Sequence, residues 1–372
     1  MMSIHGGGVN MPDITARYLG KRMKGVMNFV VAFLLMAVGV SFVIGPSGLM
    51  QNLTGIDKEI WLYIIFGYYI LATLLPVDKI IGSIYPYMGA ILLFMALGVG
   101  TMLIVGEMNG SHKMIELTPS VLKNWHADPQ HNVLIPMMFI VISCGAISGF
   151  HATQSPMMAR CLKSEKHARP VFYGAMIAEG IVAMIWATAA MTYFGGPEGL
   201  NEAMETAQAA DIVDLICKSW LGKAGAVIAI LGVVICPITS GDTAFRSLRL
   251  SVADLFKYDQ RPISKRLLVC LPIFVVAFFF CKVDFSTAWN YLGIANQILA
   301  TIVLWTGAAY LISKGKAHWM CSVPATFLTF ICISFLFIAP LGLGLAPVYG
   351  YIAGAVTALP LFIFCITYAK RH

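Results

Sequence analysis

This chain predicts an all-α polytopic membrane protein of about ten spanning helices, two of them broken, and three observations carry that expectation. Hydrophobic residues fill 59% of its 372 positions and charged residues only 12%. A soluble core of this size needs far more surface charge. Apolar runs approaching the roughly 20 residues of a span recur at 26–44, 60–76, 84–105, 133–150, 171–194, 223–240, 265–281, 287–311, 320–341 and 346–368. The third observation is the placement of charge. With the N-terminus on the cytoplasmic side, 19 of the 25 basic residues fall in cytoplasmic segments, and only Lys58, Lys113, Lys123, Lys218, Lys223 and Lys282 fall outside. That asymmetry is the positive-inside pattern and puts both termini in the cytoplasm. It also disposes of the nucleic-acid reading that a net charge of +7 would invite. Eleven of the 18 acidic residues lie in outer loops, and Glu179 falls well inside a span.

Three segments follow: a cytoplasmic loop and amphipathic segment at 1–25, a transmembrane domain at 26–368 and a cytoplasmic tail at 369–372. The stretch GGGVNMPDITARYLGKRMKG reads as a glycine loop followed by a short basic helix on the membrane surface. Gly45-Pro46-Ser47-Gly48 reads as a turn closing the first span. Trp61, Tyr63, Tyr68 and Tyr69 include interface anchors. LPVDKIIGSIYP is a short cytoplasmic connection, and the outer loop at 106–132 carries His126 and His131, two potential metal ligands without a well-spaced third.

The chain is organised around VISCGAISGFHATQSPMMARCLKSEKHARP, residues 141–170, where an apolar run gives way to polar and then basic residues. Backbone that leaves a helix at bilayer depth must be protected by protein or line a wet cavity. Gly145, Ser148, Gly149, His151, Gln154 and Ser155 are therefore candidates for a substrate path. The plainer reading is a helix end, with Gly145 and Gly149 as a close-packing pair. Glu179 sits about eight residues inside the next span, ~12 Å along it, where a carboxylate is costly unless protonated, paired or hydrated. It is either a functional acid or one hydrogen-bonded to a neighbouring helix.

The sixth span ends in PITSGDTAFRSLRL, which joins Pro237 to Thr239, Ser240, Gly241, Asp242 and Thr243. Proline frees a carbonyl one turn earlier and glycine permits unusual backbone angles, the ingredients of a second helix break. Asp242 can at the same time cap the amphipathic helix that follows, the two roles being compatible. In the eighth span Asn296 and Gln297 are interhelical glue or substrate contacts. The last two spans read as packing elements. Nine scattered cysteines, without CxxC, read as small apolar residues, and no cofactor is implied. Nucleotide-binding loops, GxSxG elbows and HExxH motifs are absent from the sequence, which disfavours an ATP-driven pump.

CGAISGFHATQSPMMARCLKSEKHAR, VFYGAMIAEGIVAMIWA, LPVDKIIGSIYP, PITSGDTAFRSLRLSVAD, ANQILATIVLW and KGKAHW together resemble the carbon starvation protein A (CstA) family of bacterial inner-membrane transporters, in its shorter branch. The resemblance covers about Gly6 to Trp319. It implies uptake of peptides or pyruvate in the response to carbon starvation, driven by an ion gradient, in an inverted-repeat fold similar to the amino acid-polyamine-organocation (LeuT-like) transporters. It also implies that the family's first helices, with their glycine-rich break, lie upstream of what this chain contains, so that Met1 falls where the family has an internal loop. An N-terminally truncated fragment without transport is then one reading of the chain. The leading reading is a proton-coupled symporter, not an enzyme, in which Glu179 takes up and releases the proton. The alternative from another class is an intramembrane metal- or carboxylate-dependent enzyme using His151, Glu179 and Asp242.

Overall fold

The computed structural model describes residues 2–5, 9–74, 78–116, 118–119, 121, 123–126, 128–130, 132–260 and 262–371. Of the expected connection LPVDKIIGSIYP, residues 75–86, positions 75–77 fall outside what is described, while from Asp78 the backbone is already helical as the start of α5; the side chains of Lys79, Lys370 and Arg371 and the residues Arg261 and His131 also fall outside it.

All regular structure among the described residues is helical. In chain order it comprises α1 (Met2–His5), α2 (Met11–Leu19), α3 (Lys21–Thr54), α4 (Lys58–Leu74), α5 (Asp78–Met108), α6 (Leu134–Ala146) and α7 (Gly149–Cys161), then α8 (Ala175–Tyr193), α9 (Pro197–Thr206), α10 (Ala209–Leu255), α11 (Ile263–Phe280), α12 (Phe285–Ser313), α13 (Trp319–Ile338) and α14 (Pro347–Arg371). A π-helical turn, Arg169–Gly174, leads into α8. Among the described residues eight helices are long and apolar enough to cross a membrane, so the chain is an all-α polytopic membrane protein. The two expected spans that do not reach that length are 60–76, which is the 17-residue α4, and 133–150, which is the 13-residue α6. At 1.5 Å per residue α6 covers only about 20 Å of a ~30 Å hydrocarbon core, because the chain leaves the helix at Ile147 and Ser148 before α7 begins.

The chain divides into two compact units. The first comprises residues 1–35, 128–178 and 289–372. Its core joins Ile140 of α6 to Ile294 of α12 and to Ile331 and Phe335 of α13. The expectation that the last two spans are packing elements finds its mechanism here. A Cβ at Gly350 would lie 2.4 Å from Ile338 and one at Gly354 2.6 Å from the Ser334 hydroxyl. These two small residues, four apart, let α13 and α14 approach closely. The amphipathic α2 forms as expected, but its apolar face is covered by protein: Met11, Ile14 and Thr15 are buried. Thr306 hydrogen-bonds to Thr15 at 3.4 Å, and Tyr18 packs edge-on against Tyr310, so α2 is tied to the end of α12.

The second unit comprises residues 36–127 and 179–288. Met95, Val99 and Leu103 of α5 pack there with Ile216, Trp220, Ile230 and Val234 of α10. Helix α10 turns once, at Gly222 (φ 65°, ψ 179°), a left-handed backbone position that glycine takes without strain. Two local expectations are overturned in this unit. Gly45-Pro46-Ser47-Gly48 is not a turn, because α3 runs through it to Thr54. Pro46 removes the N–H that would serve the Phe42 carbonyl, and the Tyr69 hydroxyl donates to that carbonyl at 2.9 Å instead. Tyr69 is accordingly no interface anchor: it is fully buried, with its ring against Phe245.

Candidate functional site

The break foreseen near Gly149 lies in the first unit and is built from both sides. Ser148, at φ −87° and ψ 124°, caps α7, its hydroxyl accepting from the His151 N–H at 3.5 Å. The remaining need of this helix end is met by α12. Asn296, 1% exposed, presents Oδ1 to the Phe150 N–H at 2.8 Å and to the Ser148 hydroxyl at 3.2 Å. Gly149 makes this approach possible, since a Cβ there would lie 2.3 Å from the Asn296 carbonyl and 2.7 Å from Leu299 Cβ. Asn296 Oδ1 thus joins α12 to the start of α7. Gly145, one turn earlier at the end of α6, faces open space: among the described residues nothing lies within 4 Å of where its Cβ would be. It is therefore not the partner of Gly149 in a packing pair.

Gln297 is different. It is fully buried, and its Nε2 donates to the Ile140 carbonyl of α6 at 3.3 Å, while Oε1 has no partner among the described residues. A buried acceptor left unpaired costs about 1–3 kcal/mol, which a bound donor would recover. Gln154 and Ser155 lie half-buried on α7, Gln154 donating to Thr153 Oγ1 at 2.9 Å and Ser155 to the His151 carbonyl at 2.7 Å. His151 is half-buried on the first turn of α7.

The second foreseen break does not exist. Pro237 through Thr243 remain helical within α10, and Asp242 caps nothing. Its carboxylate, 1% exposed, lies 3.2 Å from the Arg246 guanidinium one turn on. Buried ionic groups need such a partner, and the pair keeps the helix running. Thr239 and Thr243 turn their hydroxyls onto the Cys236 and Thr239 carbonyls, at 2.9 and 3.0 Å. Gly241 is a notch for the Tyr69 ring, whose hydroxyl lies 2.3 Å from a Cβ built there; Ser240 beside it is half-buried. Tyr69 was not among the sequence candidates. Its signal was a proline inside an apolar run, whose orphaned carbonyl needs a donor from elsewhere.

Glu179 stands at the middle of the candidate span Glu165–Tyr193. Its side chain is exposed rather than buried, within electrostatic reach of the Cys236 thiol. Thus Ser148, Gly149, Asn296 and Gln297 assemble in the first unit, while Asp242, Gly241 and Glu179 belong to the second. Among the described residues no three His, Cys, Asp or Glu side chains form a metal-holding group.

The family profile described as Carbon starvation protein CstA matches residues 12–219 and 203–334. An uncharacterized membrane protein of Haemophilus influenzae is 38% identical over 250 residues, covering 55% of this chain and 67% of its own length. The peptide transporter CstA of Campylobacter jejuni is 25% identical over 259 residues, 52% of this chain and 37% of its own. The pyruvate/proton symporter BtsT of Escherichia coli is 31% identical over 191 residues, 47% of this chain and 26% of its own. The aligned part therefore spans well under half the length of either named transporter. The family match extends over the residues that carry the break, its Asn296 brace and the buried Asp242 pair, and on that match the chain is a multi-pass membrane protein that belongs to the carbon starvation protein CstA family.

Proposed function

We propose that this protein is a secondary transporter of the bacterial inner membrane that takes up a small carboxylate such as pyruvate, or a short peptide, in symport with protons. The observation that carries the reading is the interrupted helix at Ile147 and Ser148, braced by Asn296 and flanked by the Gln297 Oε1, which has no partner among the described residues. Secondary transporters place substrate at such helix interruptions, where half-helix N-termini and unspent polar groups meet the ligand. The Gln297 oxygen is an acceptor, suited to an ammonium, an amide N–H or a hydroxyl. The names of the Campylobacter jejuni and Escherichia coli relatives support transport over catalysis, and supply peptide and pyruvate as the two substrate classes.

Glu179 is the proposed proton carrier. A carboxylate at the middle of a spanning helix faces either water or a partner, because lipid solvates it poorly. The distribution of basic residues supports a cytoplasmic location for both termini. The test is uptake of labelled pyruvate and of a labelled dipeptide by the full chain in proteoliposomes, with and without an imposed pH gradient. The expected result is gradient-dependent accumulation of one of them, abolished in Glu179→Gln and reduced in Gln297→Leu. Uptake of neither overturns the reading, and full gradient-driven accumulation by Glu179→Gln removes the proton role.

A further inference from the structure

The first unit holds a cavity of about 730 Å³, bounded by the start of α3 and by α12, α13 and α14. That size suits a chain-length organic molecule. Inside the mouth its lining is mostly aliphatic or aromatic, and the threonine hydroxyls and the tryptophan N–H in it are already engaged. Thr301 donates to the Gln297 carbonyl at 2.7 Å, Thr329 to Ala325 at 2.7 Å and Thr357 to Ala353 at 2.8 Å, while Trp305 Nε1 donates to Thr329 at 3.1 Å. A peptide or carboxylate placed inside would lose its water and gain few partners, which is unfavourable. An alkyl chain carries no such penalty.

The mouth has the opposite character. Lys21 and Arg22, the first residues of the 34-residue α3, are exposed and line the opening, with no acidic partner among the described residues. The nearby acid Asp13 is taken by Lys24. Because α2 is tied to the end of α12, Lys314 and Lys316, which follow that end, add positive charge to the same end of the unit. The positive end of the α3 dipole lies at the same place. An apolar chamber under a cationic rim is complementary to an anionic phospholipid, and basic pockets between spanning helices bind such headgroups.

We propose that this cavity is a site for an anionic phospholipid, one acyl chain lying between α12, α13 and α14 and the phosphate held by Lys21 and Arg22. Trp305, 4% exposed and part of the wall, reports on occupancy. The full chain is reconstituted in phosphatidylcholine bilayers, and quenching of Trp305 by acyl-brominated phosphatidylglycerol is compared with quenching by brominated phosphatidylcholine. Trp305→Phe supplies the background from the other tryptophans. Phosphatidylglycerol is expected to quench at a much lower mole fraction. Lys21→Gln with Arg22→Gln should cut that preference by roughly 30-fold, the effect of two headgroup cations. Leu361→Phe, which fills the chamber and leaves the rim intact, should weaken quenching by both lipids. Equal quenching by the two lipids in the unaltered chain, or an undiminished preference in the double variant, overturns the site. Displacement of phosphatidylglycerol by pyruvate or a dipeptide also overturns it, and would make the chamber a substrate pocket.

Discussion

Adding one methyl group at Gly149 should undo the brace at the helix break. A Cβ there would stand 2.3 Å from the Asn296 carbonyl oxygen, 2.7 Å from Leu299 Cβ and 3.0 Å from the Ala300 nitrogen. Two of these atoms are α12 backbone and cannot swing aside as a side-chain tip can, so α7 must retreat. Overpacking costs about 1–3 kcal/mol. The retreat also stretches the 2.8 Å hydrogen bond from the Phe150 N–H to Asn296 Oδ1, worth about 1 kcal/mol net. Gly149→Ala should therefore destabilise the first unit by roughly 2–4 kcal/mol. Gly145→Ala is the control: among the described residues nothing lies within 4 Å of its Cβ position, and alanine is favoured over glycine in a helix by up to about 1 kcal/mol. Reversible unfolding in detergent–SDS mixtures, followed by circular dichroism, compares the two. Equal midpoints for Gly149→Ala and the unaltered chain, or equal losses in both variants, would refute the claim that α7 rests directly on α12 at this residue.

Tyr69→Phe should cost about 1–3 kcal/mol by leaving the Phe42 carbonyl unpaired, and much less in a Pro46→Ala background, where the helix regains its own N–H; a double-mutant cycle measures the coupling, and additivity would contradict the assignment. The Cys217 thiol, fully buried, is pushed up to about 12, first by burial and then by Asp214, so it should resist maleimide at pH 8 in the folded protein while the exposed Cys161 reacts. Asp284, just ahead of α12, is held below the usual carboxylate range, chiefly by the Ser286 hydroxyl and further by backbone N–H groups. A native pKa depressed below the unfolded ~3.9 contributes stability above that value and loses it as the pH falls through the native one. Ser286→Ala should therefore narrow the stability difference between pH 6 and pH 3, and an unchanged acid profile would count against the contact.

The spans were legible because the bilayer imposes a length and a composition that local sequence must meet. So was the interruption at Ser148, where glycine, serine and histidine follow an apolar run at a depth that lipid cannot serve. Pro46 misled for a physical reason. In water a glycine–proline–serine–glycine string is a turn, but within a membrane the helix persists whenever another group takes the freed carbonyl. That group, Tyr69, lies 27 positions downstream, beyond any local pattern. The TSGDT stretch misled differently, since its correction was local: Asp242 and Arg246 are one turn apart and neutralise each other within a single helix. The division of labour between Asn296 and Gln297 was not legible at all, because it depends on which of two adjacent amides meets the start of α7.

The glycine notches of the second unit have a mechanical meaning. The Phe245 ring of α10 sits where a side chain at Gly39 of α3 would be, and the Tyr69 ring of α4 sits where one at Gly241 of α10 would be. Rings seated this way act as pins. Sliding α10 along α3 by a single residue would drive an aromatic ring into a neighbouring side chain, and the Tyr69 bond to Phe42 fastens α4 to α3 as well. Shear, one of the two common ways in which packed helices rearrange, is thereby blocked among these three. Within α10 the helix is interrupted instead at Gly222, away from these pins.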